Sequence, residues 1–276
     1  MTIEGYNGAR LVWDEFFSPD KPGTVIVFPG GGYSWLSERE SKPVTASFRR
    51  GGYRAVILYY DTDSEVLGLN PARQAAWAVG KVKELYPGEP VYLLGFSAGA
   101  HCAASIGVHW DGRAWMGGDF LAEVRQYLDV HRSGDTTVDF LHDPRLFRAD
   151  RLILSYPVIT GGEYAHRGSF ERLLGPTPEE RALRWFSLET QVTAETPPTF
   201  LWQTATDDSV PVQNSLLFAQ SLMQAHVPVE LHIYPKGAHG LSLATEEVEQ
   251  LAKGRLRDDH VAGWFDVMLD WLSYPI

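Results

Sequence analysis

The segment VYLLGFSAG, residues 91–99, decides how the rest of the sequence is interpreted. Its first four residues form a short apolar run typical of a buried strand, and the run AHCAA at residues 100–104 suits a helix. Between them stands the pattern G-x-S-x-G, centred on Ser97. A turn this tight between strand and helix requires very small flanking residues, and it presents the serine hydroxyl near the helix N-terminus. The segment therefore predicts a nucleophilic serine at position 97 rather than an ordinary glycine-rich turn.

Similar apolar runs recur along the chain, with helical patterns between them. The expected strands are residues 10–15, 24–28, 55–60, 91–94, 152–156, 199–202 and 229–234. The expected helices are residues 41–50, 71–86, 98–108, 211–225 and 258–273. The runs from residue 24 onward read as continuously apolar, which is typical of strands covered on both faces. The alternation predicts an α/β fold with a mostly parallel central sheet of about eight strands flanked by helices.

The length and composition predict a single domain over residues 1–276, since a chain that is 44% hydrophobic and 21% charged can bury one large core. Two segments, 110–150 and 161–197, are too long for ordinary connections and contain helical pieces of their own. Insertions of this kind often form lids or pocket walls, and we expect that role for both.

The composition also excludes several classes of function. A net charge of −11 opposes binding to phosphate backbones, so nucleic acid is not expected as a partner. No stretch approaches the roughly 20 apolar residues that span a bilayer, so no membrane association is expected. Residues 1–10 lack the apolar core of a secretion signal, and the single cysteine, Cys102, cannot form an internal disulfide. These features predict a soluble, cytoplasmic protein.

The partners that a nucleophilic serine needs lie downstream of it. A serine hydroxyl becomes reactive when a histidine accepts its proton and a carboxylate orients that histidine. Asp207 and Asp208 follow the expected strand at 199–202, and His239 follows the next strand in a glycine-containing loop. Because all these loops leave the carboxyl ends of strands, their side chains can meet Ser97 at one edge of the sheet. One aspartate would orient the imidazole, and the other would cap the following helix or face water.

The tetrahedral intermediate of acyl transfer needs backbone N–H donors for its oxyanion. One donor conventionally belongs to the residue after the nucleophile, here Ala98. The second is expected from the segment PGGGY, residues 29–33, which follows the strand at 24–28. A flexible turn has the same composition, but the position after an early strand favours an oxyanion loop.

Other conspicuous residues are assigned structural roles. His101 lies one helical turn after Ser97, and we expect it to be a buried, hydrogen-bonded histidine rather than a second base. Cys102 is expected to be a small core residue. The sequence has no H-E-x-x-H, C-x-x-C or calcium-loop pattern and no P-loop ending, so neither a metal nor a cofactor is implied.

Aromatic side chains make up 12% of the sequence, and core packing explains most of them. A few stand where they could line a substrate pocket. These are Tyr33, Trp35, Trp110 and Trp115. Tyr33 and Trp35, which directly follow the glycine loop, are the pocket residues that we predict.

Five segments carry a resemblance to a known family. They are residues 28–33, 95–99, 155–159, 196–215 and 237–240. The chain resembles the α/β-hydrolase esterases of the acetyl esterase and acetylxylan esterase group, with hormone-sensitive-lipase-like and feruloyl-esterase-like relatives. The resemblance implies an α/β-hydrolase fold with lid-like insertions, a triad acid at Asp207 through the pattern D-x-x-V-P, and an oxyanion amide from Gly31 or Gly32. Pro29 replaces the histidine of the H-G-G-G form, so other contacts must hold this loop.

Together these features predict a serine carboxylesterase that hydrolyses short-chain, acetyl-type esters through an acyl-enzyme on Ser97, with acetylated sugars or xylo-oligosaccharides among its small-molecule substrates. An arylformamidase or a small peptidase could use the same triad, because pocket walls select the leaving group. An alternative from another class is a hydrolase-fold protein that only binds a small ligand. The sequence leaves open the acyl length, the natural alcohol and the oligomeric state, a homo-oligomer included.

Overall fold

The computed structural model describes residues 1–13, 17–112, 118–132 and 138–276. Within these residues, eight strands form one sheet: β1 Thr2–Glu4, β2 Arg10–Val12, β3 Thr24–Phe28, β4 Arg54–Tyr59, β5 Val91–Phe96, β6 Arg151–Ser155, β7 Thr199–Thr204 and β8 Val229–Tyr234. Their order in the sheet is β1-β2-β4-β3-β5-β6-β7-β8. β1 and β2 pair antiparallel, β2 joins β4 antiparallel, and the pairings from β4 to β8 are all parallel. This is the mostly parallel sheet that the sequence predicts.

Helices cover both faces of this sheet. They are α1 Lys42–Arg50, α2 Asn70–Leu85, α3 Ala98–His109, α4 Ala122–Val130, α5 Val138–Leu141, α6 Arg167–Leu174, α7 Glu180–Phe186, α8 Gln213–Gln224, α9 Asp259–Ala262 and α10 Trp264–Ser273. Successive side chains of a strand point to opposite faces of the sheet. Because helices cover both faces, every residue of β3 is buried. Ile26 and Phe28 join the core on the side of α2, α3 and α8, whereas Val25 and Val27 join the core on the side of α1 and α10.

The structure differs from the sequence prediction at the edges of the sheet. β1 was not predicted, because three residues are too few for a recognisable pattern. β2 ends at Val12, and the last part of the expected strand, residues 14–15, lies outside the described residues. The prediction that all the later strands are covered on both faces was wrong for β8, which is an edge strand with Ile233 38% exposed.

The predicted C-terminal helix is divided into α9 and α10 at Gly263, a residue type with low helix propensity. Asp258 begins α9, because its side chain accepts hydrogen bonds from the N–H groups of His260 and Val261. The described part of the segment 110–150 packs α4 onto α2, where Gly80 allows close approach of Leu128. No helix among the described residues is long and apolar enough to cross a membrane.

Candidate active site

Ser97 lies between the end of β5 and the start of α3, with φ of +53° and ψ of −119°. Non-glycine residues rarely adopt such a backbone conformation, and it persists only where the surroundings enforce it. A Cβ atom on Gly99 would lie 2.2 Å from the Phe28 carbonyl oxygen, and one on Gly95 would lie 2.3 Å from Ala100 Cα. Both glycines of the motif are therefore required by close backbone packing, as the sequence interpretation expected.

Three predicted side chains form one hydrogen-bonded chain. His239 Nε2 lies 2.8 Å from Ser97 Oγ, and His239 Nδ1 lies 2.8 Å from Asp207 Oδ2. The Asp207 side chain is 1% exposed and that of His239 is 11% exposed. Because an ionised carboxylate only accepts hydrogen bonds, Nδ1 carries the proton and Nε2 can accept the serine proton.

The two neighbouring aspartates, which the sequence alone left unresolved, have different surroundings. Asp207 Oδ1 accepts hydrogen bonds from the N–H groups of Ser209 and Val210, at 3.0 and 2.8 Å. These bonds hold its carboxylate in place while Oδ2 contacts the His239 ring. Asp208 instead accepts a 3.3 Å hydrogen bond from the backbone N–H of His239. The geometry thus pairs Asp207 with the imidazole and Asp208 with the loop backbone.

The glycine loop after β3 borders the same cavity as Ser97. Gly31 and Gly32 have φ of +136° and +63°, and a Cβ atom on Gly31 would lie 2.0 Å from the Trp35 carbonyl oxygen. Within the described part of the chain, the N–H groups of Gly31, Gly32 and Ala98 have no protein acceptor. Unpaired backbone N–H groups are costly when they are buried, unless a ligand or water accepts from them. These three predicted donors are therefore available to a negatively charged oxygen.

Two side chains that sequence reasoning missed hold this loop. The Pro29 carbonyl accepts a 2.5 Å hydrogen bond from the Tyr60 hydroxyl, and the Gly30 N–H donates to Glu40 Oε2 at 2.8 Å. Tyr60 and Glu40 belong to other parts of the chain, 31 and 10 residues away, so no local sequence signal connects them to the loop. Tyr60 and Glu40 thus supply contacts that hold the loop, where Pro29 stands in place of the histidine of the H-G-G-G form.

Tyr33, predicted to line the pocket, instead packs below the loop. Its side chain is 1% exposed, and its hydroxyl lies 2.8 Å from His101 Nδ1. His101 Nε2 lies 2.9 Å from the Phe186 carbonyl oxygen, which can only accept, so Nδ1 accepts from Tyr33. Burial lowers the pKa of His101 to about 4, which keeps the ring neutral. Burial likewise raises the pKa of the Cys102 thiol, which agrees with a core role for that residue.

Ser97 opens into a cavity of about 210 Å³. Its lining comprises Gly31, Gly32, Trp35, Ser37, Glu40, Ser97, His166, Ser209, His239, Gly240 and Arg255. Trp35, the second predicted pocket residue, is part of this lining and is 44% exposed. His166 comes from the segment 161–197. Burial is the main cause that lowers its pKa, and electrostatic repulsion by His239 lowers it further. Trp110 is buried outside this lining, and Trp115 lies outside the described residues.

Sequence comparisons connect the chain to hydrolases. The model of the prolyl oligopeptidase family matches residues 142–257. Endo-1,4-beta-xylanase B of Butyrivibrio fibrisolvens is 37% identical over 235 residues, which is 82% of this chain. The chain spans 34% of the length of that curated relative.

Solved structures resemble the chain over nearly its whole length. The acetyl ester-xyloside bifunctional hydrolase from Caldicellulosiruptor lactoaceticus is 34% identical with a TM-score of 0.75, covering 96% of this chain and 87% of that one. A sugar hydrolase from Lactococcus lactis is 26% identical with a TM-score of 0.72, covering 99% and 96%. A carboxylesterase from Lactobacillus plantarum, 24% identical with a TM-score of 0.74 and covering 99% and 95%, bears on the fold alone. These likenesses confirm the predicted α/β-hydrolase fold.

Proposed function

Because the chain belongs to the esterases of the α/β-hydrolase family, we propose that it is a serine carboxylesterase that hydrolyses short-chain acyl esters through an acyl-enzyme on Ser97. The observation that carries this proposal is the hydrogen-bonded chain from Asp207 through His239 to Ser97, with both of its bonds at 2.8 Å. Nucleophile, base and orienting acid stand within reach of one another, which is the arrangement that acyl transfer requires.

The first half of the reaction forms the acyl-enzyme. His239 Nε2 accepts the Ser97 proton as Oγ attacks the ester carbonyl carbon, and Asp207 stabilises the imidazolium that results. The carbonyl oxygen becomes an oxyanion that accepts hydrogen bonds from the Ala98 N–H and from Gly31 or Gly32. Collapse of this intermediate breaks the ester C–O bond, and the imidazolium gives its proton to the departing alcohol.

The second half returns the enzyme to its starting state. A water molecule loses a proton to His239 and attacks the acyl carbon, and the same amides hold the new oxyanion. The bond from the acyl carbon to Ser97 Oγ then breaks, the imidazolium reprotonates Oγ, and the carboxylic acid leaves. The N–H groups of Gly31, Gly32 and Ala98 lack protein acceptors among the described residues, which supports their role as donors to the oxyanion.

The site favours a small acyl group and a polar alcohol. A cavity of about 210 Å³ is below the usual range of roughly 300–1,000 Å³ for drug-sized ligands, which supports an acetyl group over a long acyl chain. Trp35 offers a partly exposed ring, and Ser37, Ser209 and Arg255 offer polar groups. These suit the apolar faces and hydroxyls of a sugar. Three relatives are named for activity on xylosides, sugars or xylan. Their names support acetylated xylo-oligosaccharides as the substrate class.

The nucleophile is tested by stopped-flow release of p-nitrophenol from p-nitrophenyl acetate. The wild-type protein should give a burst that approaches one equivalent when deacylation is the slower step, followed by steady turnover. Ser97→Ala should lose at least about 10³-fold in kcat. Ser273→Ala, at an exposed serine near the C-terminus, is the matched control and should behave as wild type. Wild-type turnover in a folded Ser97→Ala variant would disprove the assignment.

A substrate panel tests the specificity. We expect kcat/KM to fall from acetyl through butyryl to octanoyl p-nitrophenyl esters, and acetylated xylo-oligosaccharide to release acetate. The match to the prolyl oligopeptidase family over residues 142–257 makes a peptide p-nitroanilide the necessary counter-substrate, and an aryl formamide should be included. Faster hydrolysis of an amide than of acetyl esters would replace the esterase proposal with a peptidase or an amidase.

A further inference from the structure

A buried carboxyl group beside the proposed oxyanion loop has no part in the reaction described above. Glu40 is 3% exposed and ends the short 3₁₀ helix Glu38–Glu40, and Ser41 separates it from α1. Acidic side chains are seldom buried without specific partners, because removing a carboxyl group from water is costly. Both of its oxygens have such partners: one is the Gly30 N–H in the glycine loop, and the other is the Tyr156 hydroxyl beside His239.

One oxygen fixes the glycine loop. Glu40 Oε2 accepts the hydrogen bond from the Gly30 N–H at 2.8 Å. The next three residues, Gly31, Gly32 and Tyr33, all have positive φ, at +136°, +63° and +62°. Glycine allows many other backbone conformations at these positions, so the directions of the Gly31 and Gly32 N–H groups depend on how the loop is anchored. The carboxyl group occupies the Gly30 amide and leaves the next two amides for the oxyanion.

The other oxygen of Glu40 accepts a hydrogen bond from a tyrosine that packs against His239. Glu40 Oε1 accepts a 2.7 Å hydrogen bond from the Tyr156 hydroxyl, which in turn accepts one from the Ser242 N–H at 3.0 Å. The Tyr156 ring packs edge-to-face on the His239 ring with centroids 5.1 Å apart. Tyr156 is fully buried and has φ of +38°, so its position is enforced by its contacts rather than by backbone preference.

We propose that Glu40 is a positioning residue that couples the oxyanion loop to Tyr156, the residue on which the His239 ring packs. Through Gly30 it directs the Gly31 and Gly32 amides at the developing oxyanion, and through Tyr156 it holds the face on which His239 lies. It hydrogen-bonds to neither Ser97 nor His239, so it acts on the transition state only through these neighbours. This inference rests on the proposed esterase function.

The test compares Glu40→Gln with Glu38→Gln, an exposed glutamate two residues away. Glutamine keeps the shape of Glu40 but has one acceptor oxygen and one NH₂ donor, so either the Gly30 N–H or the Tyr156 O–H loses its acceptor. For p-nitrophenyl acetate we expect kcat to fall about 10- to 100-fold with KM changed less than about threefold, because misplaced donors weaken transition-state binding rather than substrate binding. Glu38→Gln should leave both parameters unchanged.

A second readout separates positioning from stability. A methyl trifluoromethyl ketone adds to the active serine and places an oxyanion in the same hole, so its inhibition constant should rise in Glu40→Gln by about the factor by which kcat/KM falls. A merely structural role would lower the melting temperature and leave this correlation absent. Unchanged kcat and unchanged inhibition in a folded Glu40→Gln variant would overturn the proposal.

Tyr156→Phe keeps the proposal testable if Glu40→Gln does not fold. This change removes the hydroxyl between Glu40 and Ser242 but keeps the ring on His239, and we expect a loss of about 3- to 10-fold in kcat with the same rise in the ketone inhibition constant. Wild-type kinetics in Tyr156→Phe, with Glu40→Gln unfolded, would contradict the coupling. If the wild-type protein hydrolyses no ester at all, the proposed function fails first; if it does and these variants match it, only the role of Glu40 fails.

Discussion

Two glycine-containing turns leave the neighbouring parallel strands β3 and β5, and they are held in place by different means. The turn at Ser97 is fixed by backbone contacts: Gly99 packs against the end of β3, and Gly95 packs against the first turn of α3. The loop at Gly31 has backbone contacts of its own but also depends on side chains from elsewhere, with Glu40, Tyr60 and His101 as its supports. The two turns face the same cavity, and the proposed reaction needs both.

The two turns differ in how far their own sequence motif specifies their geometry. G-x-S-x-G determines its own geometry, because no residue larger than glycine fits at its outer positions. The loop PGGGY also has close backbone contacts at Gly30 and Gly31, but Gly32 has no contact closer than 3.8 Å, and side chains from other segments hold the loop in place. We therefore expect substitutions at the serine turn and its hydrogen-bonded partners to have larger effects than those at the supports of the loop.

After loss of the Ser97 nucleophile itself, the largest effect is expected at the acid that orients His239. Asp207→Asn should lower kcat for p-nitrophenyl acetate by about 10⁴-fold, because a neutral amide does not stabilise the imidazolium and can hold the wrong tautomer. Asp208→Asn keeps an acceptor for the His239 backbone N–H, and it should cost less than about threefold. Steady-state kinetics at pH 8 measure both. Equal losses in the two variants would contradict the assignment of Asp207.

The next prediction compares how glycine substitutions in the two turns change the free energy of unfolding. Gly99→Ala should lower the free energy of unfolding by at least about 3 kcal/mol, because its Cβ would lie 2.2 Å from the Phe28 carbonyl oxygen. Gly32→Ala in the loop has its nearest contact at 3.8 Å, so only the strain of a left-handed alanine, about 1–2 kcal/mol, applies. Gly118→Ala is the control, because an added Cβ there would meet no atom of the described residues within 4 Å apart from its chain neighbours. Urea unfolding followed by tryptophan fluorescence gives these values, and a Gly99→Ala variant as stable as Gly32→Ala would remove the distinction.

A smaller, pH-dependent effect belongs to the loop side alone. The pKa of buried His101 is lowered to about 4, below the value of about 6.5 expected in the unfolded chain. The unfolded state therefore binds the proton first, and the contribution of His101, up to about 3 kcal/mol, is complete above pH 6.5 and is lost as the pH falls toward 4. The urea-unfolding free energy of His101→Gln should change less over this range than that of the wild type.

The control for this titration is His260→Gln, at an exposed histidine, which should keep the wild-type pH dependence. Parallel curves for wild type and His101→Gln between pH 4 and 6.5 would contradict a neutral, buried His101 beneath the loop.

The same contrast explains how much the sequence could predict. β3 and β8 begin and end at the predicted residues, and the strand-to-helix turn at Ser97 follows from local sterics. The choice between Asp207 and Asp208 depended on family resemblance, because only the folded loop separates their carboxylates. Tyr33 was misjudged because its side chain turns below the loop toward His101, a contact across 68 residues. The proposed role of Glu40 could not be predicted for the same reason, since its partners lie in the loop after β3 and in the segment that follows β6.

The central claim is that Ser97 is a nucleophile activated by His239. The most direct test treats the protein with a fluorophosphonate and identifies the modified peptide by mass spectrometry. We expect one equivalent of label, carried by Ser97, and a labelling rate at least about 100-fold lower in His239→Gln. A label on another serine, such as Ser209 or Ser242, or a rate that His239→Gln leaves unchanged, would contradict it.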